Sequence, residues 1–152
     1  MRHPNVTIVG TGSYLPSTVV SNDEIAEGIN TSSKWMEDKL GIFERRSALV
    51  DETPSDMAYH AAIKAMENAN ITKEDLDMII VVTSSPEQIS PSTACILNNK
   101  LDIKKNVPSF DINAVCAGFV YGISIAAPLI STKAYKNILI VGGQKGIGLS
   151  IS

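Results

Sequence analysis

An uninterrupted apolar run near the middle of the chain, Met78 to Thr83 (MIIVVT), does most to narrow the folds available to this sequence. A strand with one face in water alternates apolar and polar residues, whereas a strand buried on both faces is continuously apolar. Strands of the second kind are typical of mostly parallel sheets. The run therefore predicts an α/β fold in which helices cover both faces of a central sheet.

The other periodic segments agree with such a layered fold. Further short strands are predicted at 6–10, 108–112 and 137–142. Serine or threonine at a helix start can accept a hydrogen bond from a free backbone N–H, so predicted helices begin near Ser21, Thr31, Thr53 and Ser92. The helix after Thr53 carries a narrow stripe of small residues, which predicts close packing on a sheet or another helix.

Composition excludes several classes of protein. The chain has 152 residues, 44% of them hydrophobic, which suits one domain with its own core. A formal net charge of −3 gives no indication of nucleic acid as a partner. Apolar runs are too short to span a membrane, and the N-terminus lacks the apolar core of a signal peptide. The two cysteines lack the spacing of a metal site and are too few for a disulfide scaffold. We therefore expect a soluble, cytoplasmic domain without a bound metal.

Cys116 lies between the predicted strand 108–112 and an apolar helical segment that runs from Ala117 to about Ile130. Free N–H groups and the positive end of the helix dipole meet at such a turn, and they favour thiolate over thiol. Two interpretations stay open from the residues alone. Cys116 is either an activated nucleophile or a small buried apolar residue, as most free cysteines are. Gly118 predicts the close approach of another group.

Other candidate residues also allow two interpretations. Trp35 lies on a short, mostly polar helix, where its indole could stack on a flat base or cover the edge of the core. Arg45 and Arg46 could contact anions, form ion pairs or be solvated surface charge. Cys95 is predicted to be a packing residue, and His60 is predicted to lie at the surface. A dinucleotide site at Gly10 and Gly12 is disfavoured, because Leu15 occupies the position of the third glycine.

Taken in order, the motifs of the chain resemble the N-terminal half of a β-ketoacyl-acyl-carrier-protein synthase III, a condensing enzyme of the thiolase fold. The resemblance covers residues 1–143 and leaves 144–152 as an unmatched tail. The matching stretches are Gly10-Thr-Gly-Ser-Tyr-Leu-Pro16, Thr31 to Trp35, Gly41-Ile-x-x-Arg45, Pro91-Ser-x-x-Cys95, Phe110-Asp-x-x-x-x-Cys116-Ala-Gly-Phe-x-Tyr121 and Ile140-Val-Gly-Gly143.

The resemblance implies an acyltransferase of fatty acid or related biosynthesis, with acyl-coenzyme A as a substrate and no bound cofactor. Cys116 would accept the acyl group, which would then condense with malonyl-acyl carrier protein. Trp35 would stack on the adenine of coenzyme A, with Thr31 close by. Lys39 occupies the position of an arginine, so contact with phosphate or adenine should be weaker. The family also implies a homodimer, paired through the strand at 110–112.

The sequence departs from the family most clearly after Cys116. Family members use a histidine and an asparagine from a second half, and this chain has only His3 and His60, which both precede Cys116. We therefore expect full condensation to be beyond this chain alone, with the C-terminal half lost or carried by a separate polypeptide. Smaller departures are Pro128 inside the predicted helix, the lack of a glycine at that helix's end, Gln144 in place of an acid, and Ser90 in place of a bulky residue.

These residues leave three hypotheses. The first is a synthase III-type acyltransferase represented by one half of its fold. The second is a non-catalytic remnant or dimerising scaffold of the same fold. The third, a flavodoxin-like redox domain, is disfavoured because the chain lacks a phosphate-binding glycine loop and a second cysteine near Cys116. Since half of a layered fold would leave apolar surface uncovered, we also expect poor solubility or self-association.

Overall fold

The computed structural model describes residues 6–145 of the chain. Over that range the chain divides into two compact units, one formed by 6–14 with 53–145 and the other by Leu15–Glu52. Two short 3-10 turns, Lys73–Asp75 and Val115–Ala117, accompany the regular elements. These elements are, in chain order, β1 (Thr18–Ser21), α1 (Asn22–Ala26), α2 (Ser33–Leu40), β2 (Glu44–Ser47), α3 (Pro54–Ala69), β3 (Met78–Val82), α4 (Thr93–Lys100), β4 (Ser109–Ile112), α5 (Gly118–Ser131) and β5 (Ile138–Gly142).

The larger unit is built on a parallel sheet of three strands in the order β4-β3-β5. All five residues of β3 are buried. Successive side chains of a strand point to opposite faces, and Ile79 and Val81 accordingly join one hydrophobic cluster while Met78 and Ile80 join another. The prediction of an α/β fold around a buried, parallel sheet is confirmed.

Helices pack on both faces of this sheet. On one face, α3 and α4 contribute Ala58, Ala62 and Leu97 to the first cluster. On the other face, α5 contributes Ala126 to the second cluster. A Cβ atom on Gly122 of α5 would lie 3.1 Å from Cγ2 of Ile140. Small residues on these helices therefore let their backbones lie close to the sheet, as the stripe on α3 had predicted.

The predicted strand at 6–10 is wrong: the structure assigns no strand there. Ile8 and Val9, whose apolar side chains suggested a strand, are 73% and 58% exposed. A strand needs backbone partners along its length, and among residues 6–145 no strand pairs with this segment. The chain just after this segment is instead held by α3, where Asn68 Nδ2 donates to the carbonyl of Thr11 at 2.6 Å.

Gly10 and Gly12 serve close packing between this segment and α3. A Cβ atom on Gly10 would lie 2.5 Å from the carbonyl oxygen of Ala65 and 2.7 Å from the backbone nitrogen of Ala69. Side chains would prevent such an approach, so the two glycines have a packing role that needs no dinucleotide. The small-residue stripe on α3 thus has two partners: Ala65 and Ala69 lie against this segment, while Ala58 packs in the cluster on the sheet.

The smaller unit contains a two-stranded antiparallel sheet that the sequence patterns did not predict, with β1 and β2 paired from Thr18 with Ser47 to Ser21 with Glu44. Arg45 holds this unit together. Its guanidinium donates to the carbonyl of Ser21 at 3.2 Å and to Oδ1 of buried Asn22 at 2.8 Å. These internal hydrogen bonds to neutral acceptors differ from both the anion contact and the ion pair that the sequence left open for Arg45.

Most predicted helix boundaries are confirmed by their caps. Ser21 and Thr53 each form a capping box at the start of α1 and α3, and α2 ends at Gly41 in the left-handed conformation. Pro128 does lie inside α5. Beyond the end of α5, where a glycine was expected, Lys133 takes a left-handed φ of 62°. A non-glycine residue in that conformation carries a modest free-energy cost.

Acid should weaken the start of α3 through Asp56. Its carboxylate contacts Lys100 Nζ at 2.5 Å and closes the capping box with Thr53. The hydrogen bond from Lys100, followed by that from Thr53, lowers the pKa of Asp56 from 3.8 to about 2. Because the depressed pKa belongs to the folded state, this stabilisation is complete above pH 3.8 and is lost as the pH falls toward 2.

We expect the free energy of unfolding, measured with urea, to fall more for the wild type than for Asp56→Asn between pH 3.8 and about pH 2. The difference should be about 1 kcal/mol, reduced by solvent screening because the side chains of Lys100 and Asp56 are 30% and 40% exposed. Subtracting the unfolding free energy of the variant from that of the wild type at each pH removes the contribution of the other carboxylates. If the two free energies fall in parallel as the pH is lowered, Asp56 does not stabilise the start of α3 in this way.

The outer side of α5 is an exposed apolar surface. Gly118, Gly122 and Ala126 are the buried residues of this helix, whereas five of its larger apolar side chains are 39% to 62% exposed: Phe119, Val120, Tyr121, Ile123 and Ile125. A helix that is apolar on all sides is normally covered on all sides.

No helix among residues 6–145 is long and apolar enough to cross a membrane.

This chain by itself should self-associate through that surface of α5. We expect the apparent mass in light scattering to rise with concentration, and Val120→Gln with Ile123→Gln to reduce the rise. Val50→Gln, outside α5, is the control, because Val50 is 99% exposed. A wild-type chain that stays monomeric at high concentration would refute this prediction.

Candidate active site

Cys116 lies where the sequence placed it, between a strand and a helix. β4 ends at Ile112, the 3-10 turn Val115–Ala117 comes next, and α5 begins at Gly118. Cys116 is therefore inside the turn that leads into the helix, and its side chain is exposed. Within residues 6–145, Cys116 is therefore not packed in either hydrophobic cluster, and its role as a nucleophile stays a prediction.

The residue before Cys116 has an unusual backbone conformation. Val115 has a φ of 47°, in the left-handed region that β-branched residues rarely adopt. Conformations of this kind cost on the order of 1–3 kcal/mol and persist where the surrounding structure imposes them. Here the chain must leave β4 and enter α5 within a short turn, and that turn presents the thiol at the surface.

Gly118 permits the contact between this turn and the central strand. A Cβ atom on Gly118 would collide with Cγ1 of Val82, the last residue of β3. The close approach predicted for Gly118 is therefore made by a side chain of the protein itself. It places the first residue of α5 directly against the carboxyl end of β3.

Asp111 is a site residue that the sequence patterns did not single out. Its two carboxylate oxygens accept hydrogen bonds from the backbone nitrogens of Thr93 and Ala94, both at 2.8 Å. These nitrogens belong to the first turn of α4, where N–H groups lack helical partners. Asp111 thus ties the strand that leads to Cys116 onto α4. The signal was a single acid in an otherwise uncharged strand, a residue type that strands disfavour.

The loop after β3 lies at the same edge of the sheet as the Cys116 turn, because the carboxyl ends of parallel strands share one edge. At its root, the N–H of Thr83 donates to the carbonyl of Ile112 at 3.1 Å. Farther along, the Glu87 carboxylate accepts from the backbone N–H of Ser55 at 3.2 Å and from its hydroxyl at 3.0 Å. The loop is therefore attached to α3 as well as to β4.

The residues expected to bind coenzyme A lie in the smaller unit. Ser32 caps α2 by accepting from the N–H of Trp35 at 3.2 Å. Trp35 is 49% exposed, and Lys39, four residues on, is exposed on the same side of the helix. Thr31 is half-buried just before the cap. Cys116 belongs to the larger unit.

Two other candidates have different outcomes. Cys95 was predicted to pack in the core, but it is exposed on α4, and its thiol contacts the carbonyl of Ser109 at 3.5 Å. Its neighbours Ala94 and Leu97 are buried while Cys95 is not, so apolar neighbours in sequence were a poor guide. His60 is exposed as predicted and stacks on Tyr14 with ring centroids 4.9 Å apart.

Gln144 is the last of the predicted departures inside the described range, where its side-chain amide hydrogen-bonds the hydroxyl of Ser84. The rest of the unmatched tail, from residue 146 onward, lies outside the described residues. Between residues 6 and 145, no group of three His, Cys, Asp or Glu side chains is arranged to hold a metal ion.

Comparison with known proteins identifies one family. The profile of 3-oxoacyl-[acyl-carrier-protein (ACP)] synthase III matches residues 110–147, the stretch that contains Cys116. β-Ketoacyl-[acyl-carrier-protein] synthase III from Oceanobacillus iheyensis is 45% identical over 141 residues, which are 93% of this chain and 45% of that protein. The corresponding protein from Fusobacterium nucleatum is 44% identical over 140 residues, 92% of this chain and 42% of that protein.

Solved structures agree. The crystal structure of 3-oxoacyl-[acyl-carrier-protein] synthase III from Aquifex aeolicus superposes with a TM-score of 0.86 at 42% identity, over 91% of this chain and 44% of that one. OleA from Xanthomonas campestris, solved with lauric acid and lauroyl-CoA, gives 0.86 at 28% identity, over 95% of this chain and 45% of that one. This chain thus spans less than half the length of these relatives. In sequence and in its thiolase-like fold, it corresponds to the N-terminal half of a β-ketoacyl-[acyl-carrier-protein] synthase III.

Proposed function

We propose that this chain carries the acyl-accepting cysteine, Cys116, of a condensing enzyme of fatty acid or related biosynthesis. The observation that carries the proposal is the family profile match over 110–147, which falls on the exposed cysteine at the strand-to-helix turn. The names of the relatives supply the reaction class. The position of the thiol, in a turn that enters a helix, supplies the physical reason for its reactivity.

In the proposed first step, the Cys116 thiolate attacks the carbonyl carbon of an acyl-coenzyme A thioester. The bond from that carbon to the sulfur of coenzyme A breaks, and coenzyme A leaves as a thiol after gaining a proton. The backbone N–H of Cys116 is proposed as one donor to the oxyanion that forms on the carbonyl oxygen. The product is an acyl-cysteine thioester.

In the second step, malonyl-acyl carrier protein loses carbon dioxide, and the resulting carbanion attacks the acyl-cysteine and releases the Cys116 thiolate. This step needs a group that polarises the malonyl thioester. Of the two histidines in the chain, His60 stacks on Tyr14 and His3 lies outside the described residues. We therefore expect decarboxylation to need residues outside this sequence, whether in the same or a separate polypeptide.

Coenzyme A is proposed to bind the smaller unit. Trp35 presents a half-exposed indole for stacking on adenine, and Lys39 on the next turn of α2 adds a positive charge for phosphate. Thr31 precedes the helix cap and is proposed to border the same surface. A second copy of the chain is the other proposed partner, and it would pair along β4, an edge strand of the described sheet.

The test is acylation of Cys116 in the isolated chain. Incubation with acetyl-coenzyme A, followed by peptide mapping in a mass spectrometer, should place an acetyl thioester on Cys116. Cys95→Ser is the matched control, because Cys95 is also exposed and its loss should change nothing. Cys116→Ser should abolish the adduct. Trp35→Ala should raise the half-saturating acetyl-coenzyme A concentration about tenfold, as expected for loss of one base-stacking contact.

The outcomes separate the two functional hypotheses. An adduct on Cys116 without ketoacyl product in the presence of malonyl-acyl carrier protein supports one half of a condensing enzyme. A folded chain that acquires no adduct, or acquires it equally on Cys95 and Cys116, would support a non-catalytic scaffold.

A further inference from the structure

The smaller unit, which carries the surface proposed for coenzyme A, has almost no apolar core. Of its residues 15–52, all of which the structure describes, only Pro16, Asn22 and Met36 are buried. Most of its larger apolar side chains are exposed. Because so little apolar surface is buried, apolar packing by itself gives the helices and strands of this unit little reason to keep one arrangement. Polar contacts must supply much of that order.

Arg45 lies at the centre of those polar contacts. Its guanidinium donates to the carbonyl of Ser21 at 3.2 Å and to Oδ1 of Asn22 at 2.8 Å, and its Nη2 lies 3.7 Å from Sδ of Met36. Asn22 in turn donates from Nδ2 to the carbonyl of Ile42 at 2.7 Å. A guanidinium presents several N–H donors at fixed angles, so one side chain can hold several partners at once. From β2, Arg45 thus reaches β1, α1 and α2.

The contact with Met36 bears on the face that α2 presents to solvent. Consecutive residues of an α-helix are about 100° apart around its axis. Trp35 is the residue before Met36, and it is half-exposed while Met36 is buried. With Met36 held against Arg45, the rotation of α2 about its axis is set. The direction of the Trp35 indole is set with it.

We propose that Arg45 is a positioning residue for coenzyme A, and that it acts through α2 without touching the ligand. Its contacts with the buried residues of the unit hold the Trp35 indole in the orientation that stacks on adenine. The inference rests on the proposed coenzyme A surface and deepens it by naming the residue that orients that surface. Loss of Arg45 weakens the binding of coenzyme A and leaves the chemistry of the Cys116 thiol unchanged.

The experiment titrates each variant with free coenzyme A and follows the fluorescence of Trp35, the only tryptophan in the chain. Adenine stacked on the indole should quench this emission, so the titration reports binding at α2. Arg45→Met should raise the half-saturating concentration about tenfold, the size expected when a base-stacking contact is lost. Arg45→Lys keeps the charge but loses the planar fork, and it should raise the concentration about threefold.

Acylation of Cys116 by acetyl-coenzyme A separates positioning from chemistry. In Arg45→Met the half-saturating concentration should rise by the same factor, while the rate at saturating acetyl-coenzyme A stays that of the wild type. Adding Arg45→Met to Trp35→Ala should weaken binding no further, because both changes remove the same contact. Two effects that multiply would show that Arg45 does not act through Trp35 and would overturn the proposal.

The matched control is Arg46→Met, on the next residue of β2. Arg46 carries the same charge, and its guanidinium contacts the carboxylate of Glu44 at 3.4 Å on the surface. Its loss should change the half-saturating concentration less than about twofold. Equal weakening in Arg45→Met and Arg46→Met would mean that positive charge alone matters, which contradicts a positioning role.

Folding of the variants is checked by far-UV circular dichroism. If Arg45→Met does not fold, Arg45→Lys carries the test, and wild-type affinity in that variant would refute the role of the guanidinium fork. If wild-type Cys116 accepts no acyl group while coenzyme A still quenches Trp35, the proposed acyl transfer fails and the titration still tests Arg45. If coenzyme A does not quench the wild type, the proposed surface and the role of Arg45 fail together.

Discussion

Replacing Asp111 with alanine should lower the free energy of unfolding by about 3 kcal/mol, because two hydrogen bonds to a charged acceptor disappear together. The carboxylate accepts from the backbone nitrogens of Thr93 and Ala94, both at 2.8 Å. Without it, these N–H groups at the start of α4 have no helical partner. Thr93 is fully buried, so water cannot readily replace the carboxylate there.

The measurement is urea unfolding followed by far-UV circular dichroism. Asp111→Asn keeps one acceptor oxygen and should lose about half as much stability. Asp38→Ala is the control, since Asp38 forms an exposed ion pair with Lys34 and its loss should cost at most about 0.5 kcal/mol. A loss below about 1 kcal/mol in Asp111→Ala would mean that α4 is held by other contacts.

Replacing Gly12 with alanine should destabilise the larger unit by about 3 kcal/mol or more, because the added methyl group has no space. The new Cβ would lie 2.9 Å from the carbonyl carbon of Lys64, with the carbonyl oxygen of Ala61 and the nitrogen of Ala65 closer still. All three atoms belong to the backbone of α3 and cannot rotate away. The segment must therefore leave the helix or the helix must shift.

The control for Gly12→Ala is Gly142→Ala, in the same unit. A Cβ atom at Gly142 would meet nothing within 4 Å, so this substitution should change stability little. The melting temperature measured by differential scanning calorimetry distinguishes the two. If Gly12→Ala has the same melting temperature as the wild type, the contact between residues 10–13 and α3 does not contribute to the stability of the folded state.

The sequence predicted the elements whose signals are local. Continuous apolar residues at Met78 to Val82 identified the buried central strand, since period and hydrophobicity are properties of the segment itself. The caps at Ser21 and Thr53 were predicted correctly for the same reason, because a capping box is closed by residues three apart. The turn that carries Cys116 was placed between its strand and helix by the same kind of signal.

Segments whose state depends on a distant partner were predicted poorly. Residues 6–10 have the pattern of a strand, yet within the described part of the chain no strand pairs with them. β1 and β2 are four residues each and form a two-stranded sheet only because each supplies the other's hydrogen bonds. Cys95 has apolar neighbours in sequence, but the side of α4 that meets the core was decided by packing.

The sequence by itself determined the α/β class, the position of Cys116 before an apolar helix, and the resemblance to a synthase III, because these depend on local pattern and ordered motifs. Only the tertiary structure decided that Asp111 and Glu87 brace α4 and α3, and that the glycines of the first loop lie against a helix. Such contacts join residues 17 to 57 positions apart. No local pattern encodes them, since each forms only when strands and helices have already packed.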